Sequence, residues 1–319
     1  MRLTSPFVVA GTTALILFAQ QPQLGGQVPA DPALVFRSGV DLVSVAAVVR
    51  DRRGHVVRNL DAGDFEVYDN GVRRRIVEFA PGEDGPISVA FLLDVSGSMR
   101  MSRGDDAARG MLDHLLAWLD PSRDEAALFT FDAKLYEEHG FTSDAAALRG
   151  AMEGIEAFGV TSLYDAVGET AERVASRDAR RRAVVVLTDG LDNASRLTPE
   201  DVSAIASRSD VPVYVVTLVS SLDQPHRRMA LGGPEAVNAA GPLGHLAWWS
   251  GGNLFIVSTA GQASVAARTM VAELRHQYLL AFESSGAPGW RTLDVRLRRA
   301  DLSIRARSAY YWTPLRTLG

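Results

Sequence analysis

Residues 87–99 read Ile-Ser-Val-Ala-Phe-Leu-Leu-Asp-Val-Ser-Gly-Ser-Met. The run from Ile87 to Leu93 is almost continuously apolar and does not alternate, the pattern of a strand covered on both faces. At its C-terminal end stand Asp94, Ser96 and Ser98. That end is where an open parallel sheet places its ligands.

Working outward, the chain alternates buried strands with amphipathic helices. Ala108, Met111, Leu112, Leu115, Leu116 and Leu119 follow helical spacing, Ala126 to Phe131 reads as a strand and Leu148 to Ile155 as a short helix. Leu163, Ala166, Val167, Thr170, Ala171 and Val174 mark a further helix, and Ala183 to Leu187 a buried strand. Thr198-Pro199-Glu200-Asp201 opens another helix as a capping box with proline in its first turn. Val211 to Val219 and Leu254 to Val257 are strands, Leu246 to Trp249 a helical turn ended by Gly251-Gly252, and Val265 to Leu274 the last helix. The 220–244 stretch is a long loop, read equally as a surface for partners or as a disordered segment. The expected fold is α/β, a doubly wound and mostly parallel sheet over 85–276.

Both flanks of this body are β-patterned. Upstream, Leu42 to Val49 is a strand, Asp51-Arg52-Arg53-Gly54 a turn and His55 to Val57 a second strand. Phe65 to Tyr68, then Asp69-Asn70-Gly71, then Val72 to Phe79 is a hairpin, because Asn-Gly tolerates the positive φ angles of a tight turn. Downstream, Tyr278 to Phe282 precedes two alternating runs, Leu293 to Leu297 and Leu302 to Ala306. Their second face carries Arg296, Arg298, Arg305 and Arg307, expected as a solvated sheet face. Neither set buries enough by itself, so segments 35–82 and 277–313 are expected to pack together as a small β-sandwich.

The chain has 319 residues, 47% hydrophobic and 22% charged, enough for one large domain or two modest ones. A net charge of −5 gives no pull toward nucleic acid. Arg2, an apolar run from Pro6 to Ala19 and the polar residues after it follow the plan of a secretory signal, expected over 1–19 with a tail over 20–34. The run is short for a membrane span, so no mature membrane helix is expected; a retained anchor is the alternative. With no cysteine in the chain, neither a lipid anchor nor disulfides are expected, and the protein is read as exported, periplasmic or secreted.

Chemistry concentrates behind Leu93. Two short hydroxyls two residues apart, beside a carboxylate and a glycine, can aim their oxygens at one point. Oxygen ligands suit a hard divalent cation, Mg²⁺ first, with Mn²⁺ or Ca²⁺ as alternatives, and not zinc or copper. Thr161, after Gly159-Val160 and before a helix, and Asp189, in Thr188-Asp189-Gly190 at the end of another buried strand, can reach the same rim. Helix capping alone is the competing account of Asp94, Ser96 and Ser98; three separated motifs on the right elements stand against it.

These three loops resemble the von Willebrand factor A domain, whose metal-ion-dependent adhesion site joins a D-x-S-x-S motif to a threonine and an aspartate from two later loops. The resemblance implies that Ser96, Ser98 and Thr161 offer hydroxyls to the cation. Asp94 and Asp189 would ligate directly or through water, and one position would stay open for an acidic residue of a partner protein. Asp64-Phe65-Glu66-Val67 with Asp69-Asn70-Gly71, and Tyr278-Leu279-Leu280 with Tyr310-Tyr311, resemble the flanks of exported acidobacterial-type VWFA-related proteins.

Other chemistry has little support. The six histidines lack zinc-hydrolase spacing, and there is no G-x-S-x-G elbow, P-loop or dinucleotide fingerprint. A Mg²⁺ phosphatase would want a carboxylate where Ser96 stands. Trp248, Trp249, Trp290 and Trp312 are expected in packing rather than in ligand stacking. A cation-dependent binding module is therefore the leading expectation, a non-enzyme; a purely structural envelope protein is the second and the phosphatase the third.

Overall fold

The computed structural model describes residues 42–82, 85–97, 99, 104–155, 159–179, 181–190, 192–219, 241–284 and 287–313. The expected signal, the tail, Ser98 and residues 220–240 of the long loop lie outside them. Among the described residues no helix is long and apolar enough to cross a membrane.

The N-terminal flank supplies β1 (Leu42–Arg50), β2 (Phe65–Asp69), β3 (Val72–Arg74) and β4 (Ile76–Ala80). Asn70 and Gly71 both take positive φ, 47° and 76°, and close the β2–β3 hairpin with Asp69 opposite Val72. The expected strand from Val72 to Phe79 is broken at Arg75. β3 stays with β2 while β4 leaves to pair with a C-terminal strand, so a single run of residues serves two sheets. The strand expected at His55 to Val57 reduces to one isolated bridge, Arg50 to Val56, because the chain turns away immediately after it.

The middle of the chain forms β5 (Ile87–Asp94), α1 (Gly104–Leu116), β6 (Glu125–Phe131), β7 (Leu135–Thr142), α2 (Ala145–Ala151), α3 (Leu163–Ala175), β8 (Arg181–Thr188), α4 (Pro199–Ser209), β9 (Val213–Leu218), α5 (Gly241–Ser250), β10 (Leu254–Val257) and α6 (Ala260–Arg275). The sheet order is β10-β9-β8-β5-β6-β7, all parallel except the antiparallel edge strand β7. In β5 successive side chains serve opposite layers. Val89, Phe91 and Leu93 pack with Met111 and Leu115 of α1 and Met270 and Leu274 of α6. Ala90 and Leu92 pack with Val167 of α3, Val202 of α4 and Leu246 of α5. That two-sided burial is why the run shows no alternation. α5 starts at Gly241, so the last residues of the expected 220–244 loop are helical.

The C-terminal flank adds β11 (Tyr278–Glu283), β12 (Gly289–Leu297), β13 (Ser303–Ala306) and β14 (Ala309–Trp312). Strands from the two flanks join in both remaining sheets: they alternate in β13-β1-β11-β4 and meet at the β12–β2 pair in β14-β12-β2-β3. Between them lies one core of Val45, Val49, Phe65, Val67, Leu280, Phe282, Leu293 and their neighbours. The fold is thus a doubly wound α/β body joined to a small β-sandwich built from both flanks.

The arginine face divides. Arg296 and Arg298 are exposed as expected, but Arg305 and Arg307 are not on a solvated face. They point into the junction with the α/β body, where Arg305 and Arg50 share the carboxylate of Glu273 on α6, itself 1% exposed. Arg307 donates to the carbonyls of Ser207 at the end of α4 and Ser44 in β1. Side-chain alternation reports which residues share a face, not whether another layer covers it. Removing one member of such a buried group leaves the others charged and unpaired. Glu273→Ala is therefore expected to destabilise the protein by about 3–5 kcal/mol in denaturant unfolding.

Asp69 closes the sandwich in a similar way. Burial alone would raise its pKa, but the bidentate Arg291 fork at 2.7 and 2.8 Å and the nearby Arg74 outweigh burial and hold it below the usual carboxylate range. A carboxyl with a depressed folded-state pKa contributes stability above its unfolded value, roughly 3.9, and loses it as pH falls through the folded value. The stability gap between wild type and Asp69→Asn is expected to narrow as pH drops from about 5 toward 2, measured by urea unfolding at each pH.

Candidate metal centre

Asp94 is the last residue of β5, between β6 and β8, and is fully buried. The sheet order turns here, because the chain passes from β5 outward to β6 on one side and later to β8, β9 and β10 on the other. A crevice beyond the strand ends follows from that topology. One carboxylate oxygen, Oδ1, accepts the Ser96 N–H at 2.9 Å, and Oδ2 accepts the Thr188 hydroxyl at 2.6 Å. Thr188, the last residue of β8, in turn accepts the Gly190 N–H at 3.0 Å. Gly190 has φ +95°, a backbone conformation that favours glycine and lets the loop fold back so tightly.

Burial pushes the Asp94 pKa above the usual carboxylate range; hydrogen bonds from Ser96 and Thr188 oppose the shift, and the negative charge of Asp189 adds to it. An ionised carboxylate here is therefore held at a cost in desolvation and like-charge repulsion.

The second loop is tied to the first and the third. Gly97 N–H donates to the Gly159 carbonyl at 3.3 Å, and Ser162 N–H to the Asp132 carbonyl at 2.8 Å. Thr161, 1% exposed, donates its N–H to Asn193 Oδ1 at 2.9 Å, while its carbonyl accepts the N–H groups of Asn193 and Ala194. The N-terminus of α3 is capped from across the site. Leu163 N–H donates to Asp192 Oδ1 at 2.8 Å, Tyr164 N–H to Ser195 Oγ at 2.9 Å, and Ser195 Oγ–H returns to Asp192 at 2.6 Å. Ser162, the residue in cap position, makes no side-chain cap bond.

Of the residues singled out in sequence, Asp94, Ser96 and Thr161 are buried on these joined loops, and Asp189 is half-buried directly after Thr188. Ser98 lies outside the described residues. Sequence reasoning missed Thr188 as the partner of Asp94, and Asp192, Asn193 and Ser195 as the clamp on α3. Their signal was an Asp-Asn-Ala-Ser run after a buried strand, which reads as an ordinary turn.

The donor set is all oxygen, two carboxylates and two neutral hydroxyls. Among the described residues no three His, Cys, Asp or Glu side chains gather closely enough to hold a metal, so a cation here would draw on Ser96 and Thr161. A hard divalent cation fits these residues, because their oxygens suit one and its charge would favour the ionised Asp94 that burial and the nearby Asp189 disfavour.

Residues 89–191 match the family model of the von Willebrand factor type A domain, a span that begins within β5 and ends just past Asp189. No curated protein sequence matches the chain. Similar solved structures include the conserved hypothetical protein BatB from Bacteroides thetaiotaomicron, 17% identical over 59% of this chain and 98% of that one, with a TM-score of 0.47. A von Willebrand factor type A protein from Catenulispora acidiphila is 12% identical over 88% of this chain and 76% of that one, with a TM-score of 0.47. Proximal thread matrix protein 1 of the mussel byssus, with a zinc-occupied MIDAS motif, is 18% identical over 65% of this chain and 50% of that one, TM-score 0.47. Asp94, Thr161 and Asp189 all lie within the stretch, residues 89–191, that is similar to the von Willebrand factor type A domain.

Proposed function

We propose that this protein is an exported, cation-dependent protein-binding module and not an enzyme, with a metal-ion-dependent adhesion site of Asp94, Ser96, Ser98, Thr161 and Asp189. In this reading residues 1–19 direct export and the body over 85–276 is inserted between the segments 35–82 and 277–313. The observation that carries the proposal is the buried Asp94 carboxylate, held by uncharged donors at a strand end beside a second carboxylate. Mg²⁺, or Mn²⁺ or Ca²⁺ in its place, would supply the positive charge that holds a glutamate or aspartate of a partner protein. The chain's part is to orient the ligands. Thr188 fixes one Asp94 oxygen, the Ser96 N–H fixes the other, and the bonds from Asn193 and Ala194 set the backbone of Thr161.

Ligand that binds only the native state raises stability by RT ln(1 + [L]/Kd), about 2.7 kcal/mol at a hundredfold excess over Kd. Mg²⁺ is expected to raise the melting temperature of the wild type, EDTA to reverse it, and Asp94→Ala combined with Ser96→Ala to abolish the response. Partner capture from an extract of the source organism is expected to fail under EDTA and in the same variant. Capture that ignores both, alongside an intact thermal response, would favour a structural role for the cation; turnover of an aryl phosphate would favour a hydrolase.

Thr188→Val keeps the shape of the side chain while deleting a buried donor to Asp94. In metal-free buffer it is expected to cost about 1–3 kcal/mol of stability, checked by chemical denaturation.

A further inference from the structure

The outer face of the sheet that contains β12 departs from its own pattern at one place. Outward positions Thr292, Asp294 and Arg296 are polar, as a solvated face requires, yet Trp290 is outward too and 43% exposed. Its cross-strand neighbour is Tyr311 of β14, edge to face at 5.8 Å. From the α/β body, Trp249 in the last turn of α5 reaches Trp290 at 6.4 Å, with His245 tilted against it at 5.3 Å. Core packing does not account for an indole left this open. Trp249 and Trp290 wall a cavity of about 340 Å³ whose polar lining is Asn70, Glu200, Arg291 and Thr292.

The hydrogen bonds already made there define what the cavity can still offer. Arg291 alternates to the other face of β12 from Trp290, and its guanidinium is committed to the buried Asp69 and to Tyr310. Asn70 Oδ1 accepts from the Thr292 N–H at 2.8 Å and hydroxyl at 3.2 Å, so the Asn70 amide keeps its two donors and the Thr292 oxygen keeps acceptor capacity. Glu200, in the first turn of α4, is exposed and makes no hydrogen bond or ion pair among the described residues. Donors and acceptors therefore stand together at the edge of an aromatic platform.

Charge narrows the class of ligand. An organic cation would meet Arg208, which lies 5.7 Å from the centroid of Tyr311, and would leave the Asn70 amide donors unused. An anion would meet Glu200. A neutral pyranose satisfies every feature, because its C–H face covers an indole while hydroxyls that both donate and accept match a mixed polar rim. The volume lies in the range of small-molecule sites. We propose that this cavity binds a neutral pyranose unit of an oligosaccharide. The site shares no residue with the metal centre, and neither reading depends on the other.

Tryptophan fluorescence of the full chain, titrated with cellobiose, maltose, lactose and chitobiose, tests the proposal. Glycerol serves as a polyol without a ring face, and benzyltrimethylammonium as an aromatic-seeking cation. At least one disaccharide is expected to saturate with a Kd on the order of millimolar, with glycerol silent. Trp290→Ala is expected to weaken that binding about tenfold or more and Glu200→Gln severalfold, while EDTA leaves it unchanged. The proposal is overturned if no disaccharide saturates, if benzyltrimethylammonium saturates and the sugars do not, or if Trp290→Ala binds like wild type at an unchanged melting temperature. Should Trp290→Ala lower the melting temperature, the exposed Glu200→Gln variant decides: unchanged affinity there overturns the proposal.

Discussion

The hydrogen bond from the Thr188 hydroxyl to Asp94 joins the ends of the two central strands, and the rim of the sheet is arranged around it. A carboxylate with no exposed surface must be given donors by its neighbours or lose its charge. Here β8 gives a hydroxyl and the turn after β5 gives the Ser96 N–H. Both come from positions the parallel register already fixes, since Leu93 lies opposite Leu187. From this bond the order spreads through backbone groups: Gly97 to Gly159, Asn193 and Ala194 to Thr161, and Asp192 to the start of α3. No loop of the centre is held by its own residues alone, so a change in one strand end reaches all three.

The sandwich solves a different problem with similar means. Its strands come from the two sides of a long α/β body, so loop closure brings them together only if pairing and core burial outweigh the entropy lost. Cross-flank pairing does this: β1 sits between β13 and β11, and β12 pairs with β2, so neither flank completes either sheet without the other. The junction with the α/β body is then fixed by charge. Arg50 and Arg305 converge on Glu273, and Arg307 bridges Ser207 to Ser44. Such groups contribute less to net stability than to register, because any shifted arrangement strands a charge away from water.

What could be read beforehand follows from the range of each interaction. β5 was legible because two-sided burial writes itself into seven consecutive positions, and the β2–β3 turn because Asn70 and Gly71 are local answers to a local demand for positive φ. Thr198 at the head of α4 was equally plain, its capping box lying within four residues. β7 was not: Leu-Tyr-Glu-Glu-His-Gly-Phe-Thr has no clean period, and its pairing with β6 shifts register twice. The break at Arg75 was also hidden, for it reflects which sheet has a vacant edge and not any property of Arg75. Arg305 and Arg307 looked like solvent residues because alternation cannot see a covering layer. Within the candidate centre, Asp94 and Ser96 announced themselves by spacing, whereas Thr188 and Asp192 act across a distance that only the fold closes.

The serine at position 96 bears on what the proposed centre can do with a bound cation. Hydrolysis needs a group that takes and returns a proton near neutral pH. The hydroxyls of Ser96 and Thr161 cannot serve. Asp94 has both oxygens engaged by Ser96 and Thr188 and sits fully buried beneath the rim, so neither oxygen is free to pass a proton to an outside group. Replacing a carboxylate by a hydroxyl also leaves the cation less neutralised by its own ligands, and so a stronger attractor for an outside anion. The same substitution of oxygen types that weakens the case for catalysis thus strengthens the case for capture. In the proposed reading, one buried carboxylate, one half-buried carboxylate and neutral hydroxyls would leave a bound cation's positive field pointed outward, and the ligand completing the site would bring its own negative charge.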